Sequence, residues 1–350
     1  MSDNNSNTVK RDSSQGNKTI SISEQIQSFI NLLNNKDNNV QNQIKGMKGL
    51  SQMSRGQYIN HEVKENVIEK NVFPILLKLF HENIERILAY NDTAADASSD
   101  EGNKVKFALA CELCSKACRV VFNFSVEEDT RQAVTKNNLI QPLINVATYI
   151  TLKTVNEKTI LCKTNAIGAI ANLATSPENK ITIVQQNGLT PLIEAIESAG
   201  TNVFQEIDVQ KSLNSMSQHS CRALFALSAS DKNKILIERQ GGLRPLISSL
   251  TARSWHIQWH AAGAVANLAI EKQNKLKIIQ HGGLEPLIRL AFSDRDRVQR
   301  QVARGLFALV SRKFHSRKPI KDTNLSNSLF FHNTTLHRLH IQTFVQVLLI

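Results

Sequence analysis

An all-α solenoid of helical repeats is the fold the sequence predicts, on three observations. The stretch from Trp259 to Leu290, WHAAGAVANLAIEKQNKLKIIQHGGLEPLIRL, reads as three apolar runs at helical spacing with turn residues between them. The same text recurs along the chain. With Asn267 and Pro286 as anchors, the pairs Asn123 and Pro142, Asn172 and Pro191, and Ala226 and Pro245 keep the same separation of 19 residues. Finally, a unit of about 40 residues has too little core to stand alone, so the copies must stack on one another.

Within one unit, Ala261, Ala262, Val265, Leu268 and Ala269 form the apolar stripe of a first helix. A second stripe is expected at Leu276 and Ile279 with Ile278 beside it, and a third at Leu284, Leu287, Ile288 and Leu290. Gly282-Gly283 separates the last two, because glycine takes the positive φ that a helix end needs. Pro286 falls in the opening turn of the third helix, where its missing N–H costs no intrahelical bond. Five of the seven prolines (Pro74, Pro142, Pro191, Pro245, Pro286) hold this place. The step from proline to the next anchor is 22 residues at both Pro245 to Asn267 and Pro286 to Ala308, giving a period of 41. Insertions of 27, 8 and 13 residues after Pro74, Pro142 and Pro191 account for the longer steps elsewhere.

A period in the forties with three helices per unit fits one repeat architecture. The run AAGAVANLA followed by IIQHGGLEPLIRL resembles armadillo repeats of the catenin and vacuolar-adaptor type, over roughly residues 24 to 312. The resemblance implies a right-handed α-solenoid of about six repeats. It also implies that the helix carrying NLA lines a concave groove, and that the asparagines Asn123, Asn172 and Asn267 contact the backbone of an extended partner peptide.

Residues 1–19 are rich in Ser, Asn, Asp and Lys, which predicts a disordered tail before a repeat domain over 20–315. From Ile20 a helical stripe runs through Ile22, Ile26, Phe29, Ile30 and Leu33, with Ser21 or Ser23 as cap. VQNQIKGMKGLSQMS follows as a worn copy of the groove helix with Gln52 in the asparagine place, as an atypical terminal unit would be. His61 to Phe80 supplies the next two helices. The acidic stretch 91–104, NDTAADASSDEGNK, is expected as a solvated insertion loop. An alternative is that it folds back over a basic groove. Residues 316–350 depart from the repeat and are expected as a poorly packed tail or a partial cap.

Composition narrows the function. Of 350 residues 41% are hydrophobic and only 5% aromatic, with no N-terminal apolar stretch and no run long enough to cross a bilayer. Five cysteines without a framework of paired loops point to a reducing compartment, the cytoplasm, with nuclear entry open. The formal net charge is +12, and residues 241–321 hold 15 Lys/Arg against 4 Asp/Glu.

The groove register turns this charge into a site. Positions four and seven or eight residues before each anchor share its helix face. They hold Arg119 and Lys116, Gly168 and Asn165, Arg222 and His219, Gly263 with His260 and Trp259, and Arg304 with Gln301 and Arg300. His256 and Arg297 lie one turn further back, and no acid occurs among these positions. The predicted function is therefore a non-catalytic scaffold, a monomer, holding an extended acidic segment of another protein in a basic groove. Two alternatives stand beside it. One is electrostatic binding to nucleic acid or an anionic membrane surface through Arg295, Arg297, Arg300, Arg304, Arg312, Lys313, Arg317 and Lys318, a patch that lacks interleaved aromatics. The other is nuclear import. Importin-alpha-like relatives carry tryptophan four residues before the groove asparagine, where this chain has arginine or glycine, so a cationic cargo would meet like charge.

Neither a metal nor a catalytic centre is predicted. Cys111, Cys114 and Cys118 lie on one helix face, but Cys118 and Cys221 take the small core place that Ala262 and Ala303 fill later, and a fourth ligand at zinc spacing is missing. His256 and His260 stand four apart without a neighbouring acid. Every glycine pair sits at the repeat turn, leaving no phosphate-binding loop. No cofactor or small-molecule substrate is expected.

Overall fold

A computed structural model of the chain describes residues 20–34, 39–54, 59–93, 101–150, 157–201 and 207–311. They form 17 helices, a leading pair followed by five triplets. The pair is α1 (Ile22–Leu33) and α2 (Val40–Met53). The triplets are α3 (His61–Glu69), α4 (Val72–Thr93) and α5 (Glu101–Phe124); α6 (Glu128–Lys136), α7 (Ile140–Tyr149) and α8 (Glu157–Leu173); and α9 (Pro177–Gln185), α10 (Leu189–Thr201) and α11 (Ile207–Leu227). Two shorter ones close the series: α12 (Asp231–Arg239), α13 (Leu243–Ser249) and α14 (Trp255–Leu268), then α15 (Lys272–Gln280), α16 (Leu284–Leu290) and α17 (Asp296–Val310). No strand occurs among the described residues. The predicted tail at 1–19 and the C-terminal segment 316–350 lie outside them.

The local signals act as the sequence predicts. Ser21 caps α1 in a reciprocal box: its Oγ accepts from Glu24 N at 3.2 Å, and Glu24 Oε2 accepts from Ser21 N at 2.9 Å. Each repeat turn passes through one residue of positive φ: Asn71 (52°), Asn138 (57°), Asn187 (61°), Gly241 (84°) and Gly282 (73°). Asparagine is the side chain that best tolerates this region, which explains why the earlier turns manage without glycine. The second glycine of the pair answers a different need. A Cβ on Gly283 would lie 2.9 Å from Ile278 O, so a side chain there would require the turn to shift.

Burial corrects the reading of the middle helix. Leu276 is 66% exposed and Ile279 47%, whereas Ile278 is fully buried. The nine-residue α15 offers the core one apolar residue, not a stripe. Val134, Ile183 and Ile237 are the fully buried equivalents in α6, α9 and α12. These helices are tied down by polar bonds instead: Asn233 Nδ2 donates to Leu227 O at 3.1 Å, and Asn274 Nδ2 to Leu268 O at 3.1 Å.

The insertions are also largely helical. α4 has 22 residues and α5 24, against 7 in α16 and 15 in α17. The stretch 91–104 is therefore not one loop, since α4 runs to Thr93 and α5 starts at Glu101, with 94–100 outside the described residues. Tyr90 stacks on Phe107 with centroids 4.3 Å apart, packing the added turns of α4 against the start of α5.

Truncating Ile278 to alanine should cost about 2–5 kcal/mol, while Leu276→Ala should change stability by no more than about 0.5 kcal/mol. Urea unfolding followed by circular dichroism separates the two, and equal losses would contradict this burial pattern.

Candidate functional site

The third helix of each triplet packs on its counterpart in the next, so that α2, α5, α8, α11, α14 and α17 form one continuous ladder. All the predicted site residues lie on it: Lys116, Arg119 and Asn123 on α5, Asn165 and Asn172 on α8, His219 and Arg222 on α11, His256, Trp259, His260 and Asn267 on α14, and Arg297, Arg300 and Arg304 on α17.

Its asparagines are already engaged. Asn172 Nδ2 donates to Phe122 O at 3.0 Å and Ser125 Oγ at 3.1 Å, while its Oδ1 accepts from Arg222 Nη2 at 2.7 Å. Asn267 repeats the pattern, donating to Ser228 Oγ at 3.1 Å and accepting from Arg304 Nη2 at 3.0 Å. Asn123 Nδ2 donates to Ser54 Oγ at 2.9 Å, and buried Asn165 donates to Ser115 O and Oγ at 3.2 and 3.1 Å. These amides bond each ladder helix to its neighbours, and a partner backbone would have to compete with bonds already made. The accepting serines fix the register too. Ser54 stands two residues after Gln52, as Ser125 and Ser228 stand two after Asn123 and Ala226, which places Gln52 at the anchor position.

A two-unit alternation runs along the ladder. Taking the residues four before, one before and at each anchor, α5 reads Arg119, Phe122, Asn123 and α8 reads Gly168, Ala171, Asn172. The first kind returns as Arg222, Phe225, Ala226 and as Arg304, Phe307, Ala308, and the second as Gly263, Ala266, Asn267. Each phenylalanine followed by a glycine unit lies over that glycine: a Cβ on Gly168 would meet the Phe122 ring at 2.9 Å, and one on Gly263 the Phe225 ring at 2.8 Å. Through the gap at Gly168, Phe122 on α5 reaches His219 on α11, centroids 5.5 Å apart. The alternation could have been found from sequence alone by comparing all three positions together instead of the anchor and its arginine singly.

Electrostatics follow from this packing. Among the described residues, Arg222 and Arg304 hydrogen-bond only neutral groups, Asn172 Oδ1 and Gly168 O for the first, Asn267 Oδ1 and Gln301 Oε1 for the second. Their charges are thus not cancelled, and burial pulls both guanidinium pKa values down. His219 is pushed down to about 3 by burial and by the cations Arg222 and Arg119, and His260 to about 4 by burial and Arg222. Both imidazoles are neutral at pH 7, and their Nδ1 atoms are buried without a partner among the described residues. The predicted absence of acids needs one correction: Glu112, one turn before Lys116, pairs with it at 3.4 Å and with Lys158 at 3.6 Å. At the other end, Arg297 lies over the Trp259 ring at 5.2 Å and Arg295 over Trp255 at 5.7 Å, so the protein's own cations occupy the tryptophans.

The cysteines are core residues, as expected, but with a fourth member that the linear spacing hid. Cys162 on α8 lies beside Cys118 on α5, and burial raises the thiol pKa of both. Cys111 and Cys114 are equally buried. Among the described residues no group of three or more His, Cys, Asp or Glu could hold a metal ion. None of the described helices is long and apolar enough to cross a membrane.

Comparison with known proteins agrees with this architecture. Residues 271–310 match the Armadillo/beta-catenin-like repeat. A designed armadillo repeat protein superposes with a TM-score of 0.59 at 21% identity, covering 83% of this chain and 100% of its own. A second designed armadillo repeat protein, in complex with the peptide (KR)4, gives 0.57 at 20% identity, covering 83% and 99%. An engineered protein gives 0.59 at 19% identity, covering 83% and 98%. No curated protein sequence matches the chain.

Removing the Asn172 amide should cost about 1–3 kcal/mol, because Asn172→Ala strands Ser125 and the buried Arg222. In a double-mutant cycle with Arg222→Ala, measured by urea unfolding, the losses should be less than additive. A second expectation concerns pH. The unfolded chain protonates His219 and His260 near their ordinary pKa of about 6.5, but the folded chain only near 3 and 4. In that window the unfolded state binds more protons, so stability held above about pH 6.5 falls as the pH drops. The melting temperature should decline from about pH 7 to about pH 4.5, and replacing both histidines by phenylalanine should flatten that decline.

Proposed function

We propose that this chain, which has the fold of the armadillo-repeat solenoids, is a non-catalytic scaffold binding an extended, acidic segment of another protein along its ladder face. One observation carries the reading. The ladder presents guanidinium groups at regular places, and those of Arg222 and Arg304 are bonded to amides and carbonyls rather than carboxylates. A cation with neutral partners keeps its full field, and a row of them attracts an anionic strand and speeds its arrival. Arg119 on the same face and the exposed Arg297 and Arg300 at the C-terminal end extend the row. With the asparagine donors committed to neighbouring helices, recognition falls to these side chains rather than to the partner's backbone. The designed relative that holds (KR)4 marks the opposite polarity; here a lysine-arginine peptide would meet like charge.

The binding is that of a monomer acting without cofactor, and peripheral attraction to anionic membranes is secondary. The five free, buried cysteines fit the cytoplasmic location proposed for it, with access to the nucleus.

The test uses polyglutamate and polylysine peptides with fluorescence anisotropy. Polyglutamate should bind and polylysine should not. Changing Arg119, Arg297 and Arg300 together to glutamate spares the inner Asn–Arg bonds and should slow association about tenfold or more, with a shallower salt dependence. Unchanged binding with the fold intact by circular dichroism would remove the groove from the mechanism. Single-stranded DNA binding as tightly as polyglutamate, whatever the peptide sequence, would select the electrostatic alternative.

A further inference from the structure

The short helices that open the triplets, α3, α6, α9, α12 and α15, bury Val67, Val134, Ile183, Ile237 and Ile278 in turn. Two residues before each of these, the chain reads Glu65, Gln132, Ile181, Ile235 and Leu276, and all five positions are exposed. Glutamate and glutamine in the first two triplets show that the fold does not require an apolar side chain there. The last three triplets nevertheless carry one, with Ile181 56%, Ile235 36% and Leu276 66% exposed. Single exposed apolar residues are ordinary on a protein surface. Three at equivalent places in consecutive repeats, with Ile279 exposed one turn beyond Leu276, make a row. It runs over α9, α12 and α15, and no ladder helix contributes to it.

Charge changes along the short helices together with polarity. α3 and α6 expose Glu62, Glu65, Glu69, Glu128 and Asp129. Beside the apolar row the exposed charges include Lys232, Arg239 and Lys272, none of which makes an ion pair among the described residues. The acids nearby are largely engaged: Asp231 pairs with Lys234, Glu238 with Lys277, and Glu178 accepts from Ser176 Oγ at 2.6 Å, leaving Glu271 against three cations.

Spacing identifies the conformation of an occupant. Adjacent short helices lie side by side: Asn274 Nδ2 on α15 donates to Lys234 O on α12 at 3.4 Å, and Lys277 pairs with Glu238 across the same seam. α9 takes the equivalent place one repeat earlier, where α10 packs on α13. Helices packed side by side are about 8–10 Å apart, so the row offers an apolar side chain roughly every 10 Å. An α-helix laid along the row advances about 10.5 Å in seven residues and returns the same face to it. An extended strand covers about 10 Å in three residues, which turns the side chain to its opposite face. The row therefore matches a helix and not a strand.

We propose that Ile181, Ile235 and Leu276 form a docking ridge for an amphipathic α-helix of another protein. That helix is apolar at every seventh residue and acidic beside those positions, so that its carboxylates meet Lys232, Arg239 and Lys272. The ridge goes beyond the groove reading: it is a second surface, and it takes a partner segment of a different conformation.

The probe is a pool of helical peptides about three heptads long, with Leu, Ile or Phe at every seventh position, Glu beside them and Ala or Gln elsewhere. A control pool has the same composition with its apolar residues on alternate positions. Fluorescence anisotropy with the full chain should show the heptad pool binding about tenfold or more tightly than the control, and replacing its Glu by Lys should remove about as much. Changing Ile235 and Leu276 together to serine should also weaken the heptad pool about tenfold or more. Both sites are exposed, so the urea midpoint and polyglutamate binding to the ladder face should stay as they are. Equal affinity for the two pools, or unchanged affinity in the double variant, would overturn the ridge. A heptad pool that binds as well with Lys as with Glu would overturn the acidic partner. Sedimentation showing a dimer that the double variant splits would make the row an interface between copies of this chain and remove the partner helix. Loss of polyglutamate binding in the double variant, with the urea midpoint unchanged, would merge the row with the groove and overturn a second surface.

Discussion

The ladder helices can stack only if something other than bulk apolar contact fixes their spacing, and buried amides do this. Asn172 and Asn267 each reach back to a serine at the end of the preceding ladder helix and hold out an oxygen to an arginine of the following one. A buried amide left unsatisfied is costly, so each bond specifies register as well as contributing to stability. Apolar packing is tolerant of small slides, whereas a three-way hydrogen bond is not. The rest of the ladder face takes its form from this requirement: arginines positioned by amides, glycines that let phenylalanines lie across them, and histidines held neutral among cations.

This arrangement divides stability from recognition. The asparagines that the family resemblance assigns to partner backbone are bonded within the solenoid. The arginines that serve the solenoid do so through neutral oxygens, which hold the guanidinium in place without cancelling its charge. A carboxylate in the same position would have held the arginine more tightly and made the face electrically silent. Positioned and uncancelled charge is what a long, anionic strand would respond to, and Glu112 beside Lys116 shows what the alternative looks like at one place on the same surface.

Much of the fold was legible because its signals are local. A proline in the opening turn and a residue able to take positive φ before it act over a few bonds, and both hold at all five repeat turns; the serine cap of α1 is just as local. What escaped depends on neighbours that are distant in sequence. Ile278 rather than Leu276 faces inward, a choice set by how α15 is seated against α13 and α14, which periodicity alone does not encode. The stretch 91–104 looked like a loop from its small polar residues, yet part of it extends α4 and α5, which tertiary contacts such as Tyr90 on Phe107 support. Cys162 was hidden as the companion of Cys118 because 44 residues separate them. The site divides the same way: helix register placed every candidate on the ladder, but only the packing revealed that the asparagines are satisfied and which arginines retain their field.

The alternation of arginine-phenylalanine units with glycine-alanine units gives the solenoid a phase. A phenylalanine needs a glycine opposite it, and Asn172 and Asn267 each meet an arginine. Excising one repeat would set phenylalanine against arginine or glycine against asparagine, according to which kind of unit is removed, a mismatch at the new seam. Excising two would restore both matches. The module by which this array could lengthen or shorten without a fault is therefore the pair, and any partner reading along it meets like chemistry only at every second step.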